Sequence, residues 1–338
     1  ELVINKMKAW QGSLGVSDYE GIISPAYYVC RFMSDKIVKK YIHYLLRSKA
    51  YAQEFERLST GMRVGQWDLG IDDFMSTPAL IPPPNEQSAI ATYLDDQCAK
   101  IDALIAEAKD SIEEYKKWKA SLIFETVTKG LDPNVEMKDS GIEWIGQIPK
   151  TWRMHTLYQL VTQVKNKNSD MQEKNLLSLS YGKIKRRDIT AKGGLLPDTF
   201  TGYNIIERND IVLRLTDLQN DHTSLRVGLS LERGIITSAY TVIRTINSQY
   251  APYIYYLLHA FDVKKGFYGM GSGVRQGLNY DEVKELKVVL PSISEQNKII
   301  TYLNEKIKKI NFMIYEKNAI YLDAHLFPIL YWRTSIYS

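Results

Sequence analysis

The segment IPPPNEQSAIATYL, residues 81–94, returns as LPSISEQNKIITYL at residues 290–303. The copies match at Pro82/Pro291, Glu86/Glu295, Gln87/Gln296, Ile90/Ile299 and the closing Thr-Tyr-Leu. Outward from it, GIISPAYYVCR (21–31) returns as GIITSAYTVIR (234–244), and YIHYLLRS (41–48) as YIYYLLHA (253–260). The matches keep their order and lie 209 to 213 residues apart. Solenoid units run to only about 20–50 residues, so this period belongs to a duplicated domain with its connector. Two similar modules most simply grip two similar things. Glu1 aligns with Asp210, and the residues preceding Asp210 in the second copy have no counterpart in the first, so residue 1 reads as a break inside the first module.

The shared segment is a boundary followed by a helix. Proline neither continues a ladder nor sits inside a helix, so Pro82–Pro84 end the module. Asn85 in one copy and Ser294 in the other are the expected N-caps, with Glu86 and Glu295 at the positive helix end. From about Asn85 to Thr128 the apolar residues Leu94, Ile101, Ala108, Tyr115 and Leu122 recur every seventh position, with Leu104 and Trp118 expected between them. That is a coiled-coil seam over roughly four heptads and roughly 60 Å, stopped at Gly130 and Pro133. The second copy carries Ile300, Leu303, Ile307, Ile310 and Ile314 at the same spacing, then departs near Lys317 and Pro328. Two such stripes most economically zip together antiparallel. Elsewhere the chain reads as short strands and helices: ELVINKM, GIISPAYYVCR and a helical YIHYLLRSKAYAQEFERL in the first module. In the second, LLSLSYG, DIVLRLT, GIITSAYTVI and VKELKVVL read as strands and YAPYIYYLLHAF as a helix. The fold class is α+β with α/β-type modules, long antiparallel helices and a pseudo-twofold internal repeat.

Composition narrows the function classes. The chain has 338 residues, enough for two ordinary domains. Two cysteines at non-equivalent places, Cys30 and Cys98, suit a reducing compartment and no disulfide frame, which points to the cytoplasm. Five scattered histidines offer no metal-ligand spacing, so neither metal nor cofactor is expected. No apolar run reaches the ~20 residues of a membrane span. No phosphate loop, HExxH or GxSxG motif appears, and carboxylate pairs such as Asp102/Glu107 and Glu113/Glu114 lie among lysines at salt-bridge spacing, so no catalytic residue is assigned. The net charge is +4. Its sharpest concentration is YGKIKRRDI (181–189), where Lys183, Lys185, Arg186 and Arg187 read as solvated surface or as a nucleic-acid contact; a duplicated basic module favours the second. The loops GMRVGQWDL (61–69) and FYGMGSGVRQGL (267–278) each put arginine and glutamine ahead of the boundary: Arg63 and Gln66, Arg275 and Gln276. Such side chains can make bidentate contacts to guanine and adenine edges, although a turn positioning the last strand explains the glycines as well.

The doubled EQ..I..YL boundary, the segment TKGLDPNVEMKDSGIEWIGQIPKTW (128–152) and the doubled GII..AY.V.R element resemble the specificity subunits of type I restriction–modification systems over essentially the whole chain. The resemblance implies two target-recognition domains that read the halves of a split double-stranded DNA target. Two helical regions would form an antiparallel coiled coil and set the gap. The partners would be two methyltransferase subunits and the restriction subunits. It divides the chain into the C-terminal part of recognition domain 1 (1–84), spacer helix 1 (85–130), a linker (131–152), recognition domain 2 (153–291) and spacer helix 2 (292–338). DNA contact is expected from the loop and cluster residues above together with Lys6, Lys8, Arg214 and Arg226. Partner contact is expected from Glu86, Gln87, Glu295 and Gln296, for which helix capping is the competing reading. A degenerate scaffold and a DNA-modifying enzyme with its own site are the alternatives.

Overall fold

The computed structural model describes residues 1–63, 66–190, 197, 199–218, 225–270 and 277–326, without the side chains of residues 62, 63, 66 and 323–326. Two compact units emerge: Glu1–Glu114 with Phe312–Ser338, and Tyr115–Asn311.

In the first unit, β1 (Leu2–Asn5) lies between β2 (Leu14–Val16) and β3 (Tyr27–Cys30), antiparallel to both. Two helices follow, α1 (Lys39–Arg47) and α2 (Lys49–Leu58), where the sequence suggests one. The break is Ser48, whose extended backbone (ψ 152°) cannot continue a helix. A hairpin of β4 (Thr60–Arg63) and β5 (Gln66–Asp68) leads through α3 (Ile71–Ser76) to α4 (Pro84–Lys129). Leu2, Ile4, Leu14, Ile42, Leu46, Phe55, Leu69 and Phe74 form the core.

The second unit begins inside α4. Residues 131–152, expected as a linker, fold into a hairpin of β6 (Met137–Asp139) and β7 (Gln147–Pro149). Ile145, Ile148 and Trp152 bury themselves in the main core against Tyr253 and Val127. Next come β8 (Arg153–Thr156), β9 (Val161–Gln163), β10 (Leu177–Ser180), β11 (Lys183–Arg186), β12 (Asn204–Ile206), β13 (Ile211–Leu213), β14 (Val227–Leu229), β15 (Gly234–Ile236) and β16 (Thr241–Thr245). The remainder is α5 (Ala251–Val263), α6 (Tyr280–Val283), β17 (Lys287–Leu290) and α7 (Ile293–Leu326). The central sheet runs β14-β13-β16-β9; β12 pairs with β15, β10 with β11 and β17 with β8.

Sequence repetition reappears as repeated bonding. Leu2 faces Val16 and Cys30 as Ile211 faces Leu229 and Ile243. The Leu69 amide donates to the Lys6 carbonyl as that of Leu278 does to Leu215, both at 2.9 Å. The Tyr44 hydroxyl donates to Asp95 Oδ1 at 2.7 Å and that of Tyr256 to Asn304 Oδ1 at 2.8 Å. Arg31 pairs with Glu1 as Arg244 pairs with Asp210.

The helix starts differ from expectation. α4 begins at Pro84, a residue whose missing N–H costs nothing in a first turn, so Asn85 is already helical. α7 is capped by Ser292, whose hydroxyl accepts from the Glu295 amide at 3.3 Å, rather than by Ser294. Behind each cap lies a buried glutamine. Gln87 Nε2 donates to the carbonyls of Pro82 (2.7 Å) and Lys36 (3.1 Å), while its Oε1 accepts from the Val38 amide at 2.8 Å. Gln296 Nε2 donates to the Pro291 carbonyl at 2.9 Å, and its Oε1 is buried without a partner.

Along α4 the buried column is Ile105, Ala108 and Ile112, then Ile123 and Val127, while Leu104 and Trp118 are about half exposed. The expected intervening positions are therefore one residue off. From Ile101, Ala108 and Tyr115 the seam steps forward by four, to Ile105, Ile112 and Lys119, and the positions three ahead fall on its flank. On α7, Ile299, Leu303 and Ile310 are buried. In the second unit Lys119 Nζ donates to Asn311 Oδ1 at 3.1 Å, and Gly130 lies against Glu295, so the helices run antiparallel there. In the first unit Lys317 pairs with Glu107 at 3.6 Å, and Lys109 sits 5.2 Å over the Tyr321 ring.

The two glutamines should respond unequally to removal of their amides. Gln87→Met deletes three bonds and strands buried partners, a loss of about 3 kcal/mol at about 1 kcal/mol per bond. Gln296→Met deletes one bond and an orphaned oxygen, a loss of about 1 kcal/mol or less. Urea titration of the two variants checks the order.

Candidate nucleic-acid interface

The basic cluster of the second unit is a hairpin. β10 and β11 pair Ser180 with Lys183, and the turn between them holds Tyr181 (φ 48°) and Gly182 (φ 73°). Both turn residues have positive φ, the two-residue geometry that matches strand twist. A side chain at position 182 would also meet Leu225 Cβ at 3.0 Å, so the turn requires glycine. Alternation then sorts the strand. Leu177, Leu179 and Ile184 pack on the β-sheet core, while Lys183 and Lys185 point to solvent with Arg187 just beyond and Tyr181 exposed at the tip. Arg186 differs from its neighbours. Its guanidinium forks onto the Glu232 carboxylate, with Nε at 2.9 and 2.8 Å, and this partner raises the arginine pKa and lowers that of the glutamate. Arg186 is therefore neutralised in place, leaving Lys183, Lys185 and Arg187 as the outward charge.

Sequence reading missed what lies beside the hairpin. Lys119 of α4 is largely buried, and its pKa is lowered first by burial, then by Lys183 and Lys116. Burial, and after it Lys119, holds His259 down at about 4, so that imidazole is neutral at physiological pH. Lys119 thus lies near enough to the hairpin to feel Lys183. The available signal was a lysine standing where the heptad asks for an apolar side chain.

Arg226 is corrected outright. It is fully buried, with Nε donating to the Tyr268 hydroxyl (3.1 Å), Nη1 to the carbonyls of Arg214 (3.1 Å) and Thr216 (2.8 Å), and Nη2 to that of Asp217 (3.1 Å). Its own amide donates to Asp262 Oδ2 at 2.6 Å. A guanidinium satisfied by chain carbonyls braces the 214–217 turn and cannot reach DNA. Arg214, half-buried beside it, offers its carbonyl to that brace. Gln87 and Gln296 are likewise buried within their own units, leaving exposed Glu86 and half-buried Glu295 of the four partner-contact candidates.

In the first unit the fold brings Lys6 and Lys8 to the base of the β4–β5 hairpin. The Lys6 carbonyl receives the Leu69 amide, Trp10 packs on Trp67 of β5 with ring centroids 5.3 Å apart and planes tilted by 57°, and Lys6 Nζ lies 5.9 Å over the Tyr28 ring. Arg63 and Gln66 face each other across this hairpin, but their side chains, like all of Arg275 and Gln276, lie outside the described residues. Lysines interleaved with half-exposed aromatic rings can hold phosphates while the rings pack on sugars or bases. Among the described residues no three His, Cys, Asp or Glu side chains gather as a metal site, and no helix is long and apolar enough to cross a membrane.

No family model matches this sequence, and no curated protein does. Solved structures do. At 13% identity and a TM-score of 0.68, 99% of this chain matches 82% of a chain from a structure of the type I R-M system, a study of complex assembly and conformational transition. The crystal structure of the HsdS subunit from Thermoanaerobacter tengcongensis matches with a TM-score of 0.54, again at 13% identity, over 99% of this chain and 81% of that one. The fold is that of an HsdS subunit. At this identity the likeness is one of fold.

Removing the Arg226 brace should destabilise the fold, whereas altering the hairpin should not. Arg226→Met strands the buried carbonyls of Arg214, Thr216 and Asp217 and should cost about 3–5 kcal/mol. Lys185→Glu on the exposed strand should stay within about 0.5 kcal/mol. Chemical denaturation distinguishes them.

Proposed function

We propose that this chain is a specificity subunit of a type I restriction–modification complex, a DNA-binding adaptor working in the cytoplasm. Its two modules, 1–84 and 153–291, would read the halves of a bipartite double-stranded target. The helical regions 85–130 and 292–338 would relate the modules by a pseudo-twofold axis and hold their spacing. The observation that carries this reading is the whole-chain match to the HsdS fold, supported by a basic hairpin in one unit and a basic, aromatic surface in the other. Lys183, Lys185, Arg187, Lys6 and Lys8 would supply phosphate contacts, which dominate affinity without reading sequence. Base reading would fall to the loops bearing Arg63 and Gln66, and Arg275 and Gln276. Methyl transfer and cleavage would belong to two methyltransferase subunits and to restriction subunits, with Glu86 and Glu295 at equivalent docking places. Recognition alone needs no cofactor.

Reversing Lys183, Lys185 and Arg187 together to glutamate should weaken binding to every DNA sequence alike. It should also flatten the plot of log affinity against log salt by about 0.9 for each phosphate that is no longer neutralised. Filter binding across a salt series reads both; an unchanged affinity and slope would return the hairpin to ordinary surface.

The helices should act as a ruler. Seven residues inserted after Ala108, matched by seven after Ile314, keep both stripes in register and add roughly 10 Å, about three base pairs of B-DNA. The Glu107–Lys317 ion pair lies within one turn of both insertion points. Selection from a library of gap lengths, with methyltransferase subunits present, should return the longer gap. A folded double-insertion variant that keeps the original gap would sink the ruler.

A further inference from the structure

The turn between β10 and β11 contains a side chain that its backbone disfavours. A two-residue turn with positive φ at both positions forms most easily from Asn, Asp or Gly, because a larger side chain crowds the main chain there. Gly182 fits this rule, with φ 73° and Leu225 where its Cβ would be. Tyr181 breaks it. At φ 48° a bulky aromatic residue occupies the left-handed region, and it is 75% exposed. Among the described residues its ring has no aromatic, cationic or hydrogen-bonding partner. Backbone strain that gains nothing inside the fold points to a role outside it.

The hairpin beneath holds this ring in a fixed place. Leu177, Leu179 and Ile184 pack on the sheet, Arg186 forks onto Glu232, and Gly182 rests against Leu225. Lys183 and Lys185 leave the same strand towards solvent. A two-stranded ribbon fits the major groove of B-DNA, whose rims are phosphates and whose floor is base edges. Ammonium groups match the rims. An uncharged aromatic face matches the floor, where it can pack on bases or on a thymine methyl group.

We propose that Tyr181 contacts bases, and that its ring, not the lysines around it, gives the hairpin a sequence preference. This role rests on the DNA reading above. It adds an aromatic base contact to the polar ones expected of Arg275 and Gln276, and it turns a hairpin assigned to phosphates into one that also discriminates.

The test uses the full chain with methyltransferase subunits present, and selection from random-sequence duplexes first defines the native target. Tyr181→Asn suits the turn better than tyrosine, so the urea midpoint of unfolding should hold or rise. The same variant should bind the selected target about tenfold more weakly, the cost of one lost base contact. Its slope of log affinity against log salt should stay at the native value, because no phosphate contact is removed. A fresh selection with it should return a weaker base preference in one half of the target. Tyr181→Phe keeps the ring and should bind and select as the native chain does. If Tyr181→Asn keeps the native affinity and preference, the inference is overturned, and the DNA reading survives provided that reversing Lys183, Lys185 and Arg187 still weakens binding. A native complex that binds no DNA overturns both. Weaker binding with a lowered urea midpoint would make Tyr181 a structural residue. Equal losses for Tyr181→Phe and Tyr181→Asn on every sequence would make its hydroxyl a phosphate contact. Either result also overturns base reading by the ring.

Discussion

Each module is fastened to its long helix by side chains from the first turns of that helix, and the remaining geometry depends on this fastening. In the first unit one buried amide, Gln87, joins the proline boundary, the residues before α1 and the start of α4. Two turns on, Asp95 takes the hydroxyl of Tyr44 and so fixes how α1 lies against α4. Polar groups this deep are costly unless satisfied, and satisfied ones define a single arrangement where apolar contact alone would tolerate several. A module held by such directional bonds swings little about its helix.

The sequence shows this fastening in outline. The recurrence of Glu-Gln and Thr-Tyr-Leu marks the helix start, because a position that must meet a fixed carbonyl cannot drift as a surface residue can. It does not show which of the two polar residues turns inward; burial falls to Gln87 and Gln296, whose amides can donate and accept where a carboxylate can only accept. The seven-residue spacing through Leu94, Ile101, Ala108 and Tyr115 locates one column of the seam, but apolar content misplaces its companion. Leu104 and Trp118 are at least as hydrophobic as the residues after them, yet Ile105 and Lys119 are the more buried. Strand order was beyond reach, since β12 finds β15 and β9 finds β16 across long loops.

At the candidate site, charge was legible and its use was not. Four basic residues in YGKIKRRDI look alike in sequence, but a distant Glu232 claims Arg186, and strand alternation turns Lys183 and Lys185 outward. Arg226 misleads for a related reason. A guanidinium reads as a surface charge until four groups close around it, and those groups meet only through the turn that follows β13 and the segment that follows α5. Long-range ion pairs and internal arginines leave no local pattern, so the cations visible in a sequence overstate the surface available to DNA.

The seam by itself does not fix how α4 and α7 are aligned. Asparagines stand on α7 one heptad apart, at 304, 311 and 318, and each has a different partner. Asn304 accepts from Tyr256, Asn311 from Lys119, and Asn318 donates to the Ile314 carbonyl of its own helix. A slip of one heptad would still offer the buried Lys119 ammonium an asparagine oxygen, so the polar layer that often sets register in paired helices is nearly degenerate here. What such a slip would break is the contact near the start of α7, where Gly130, at the end of α4, lies against Glu295. Tyr253 adds to this by reaching from α5 to the Val127 carbonyl at 2.8 Å, tying the module to α4, while Tyr256 ties it to α7. In this unit the module itself is the clamp that sets helix register. A change of helix length is therefore transmitted only if both helices are lengthened beyond that clamp, on the side where the seam alone holds them.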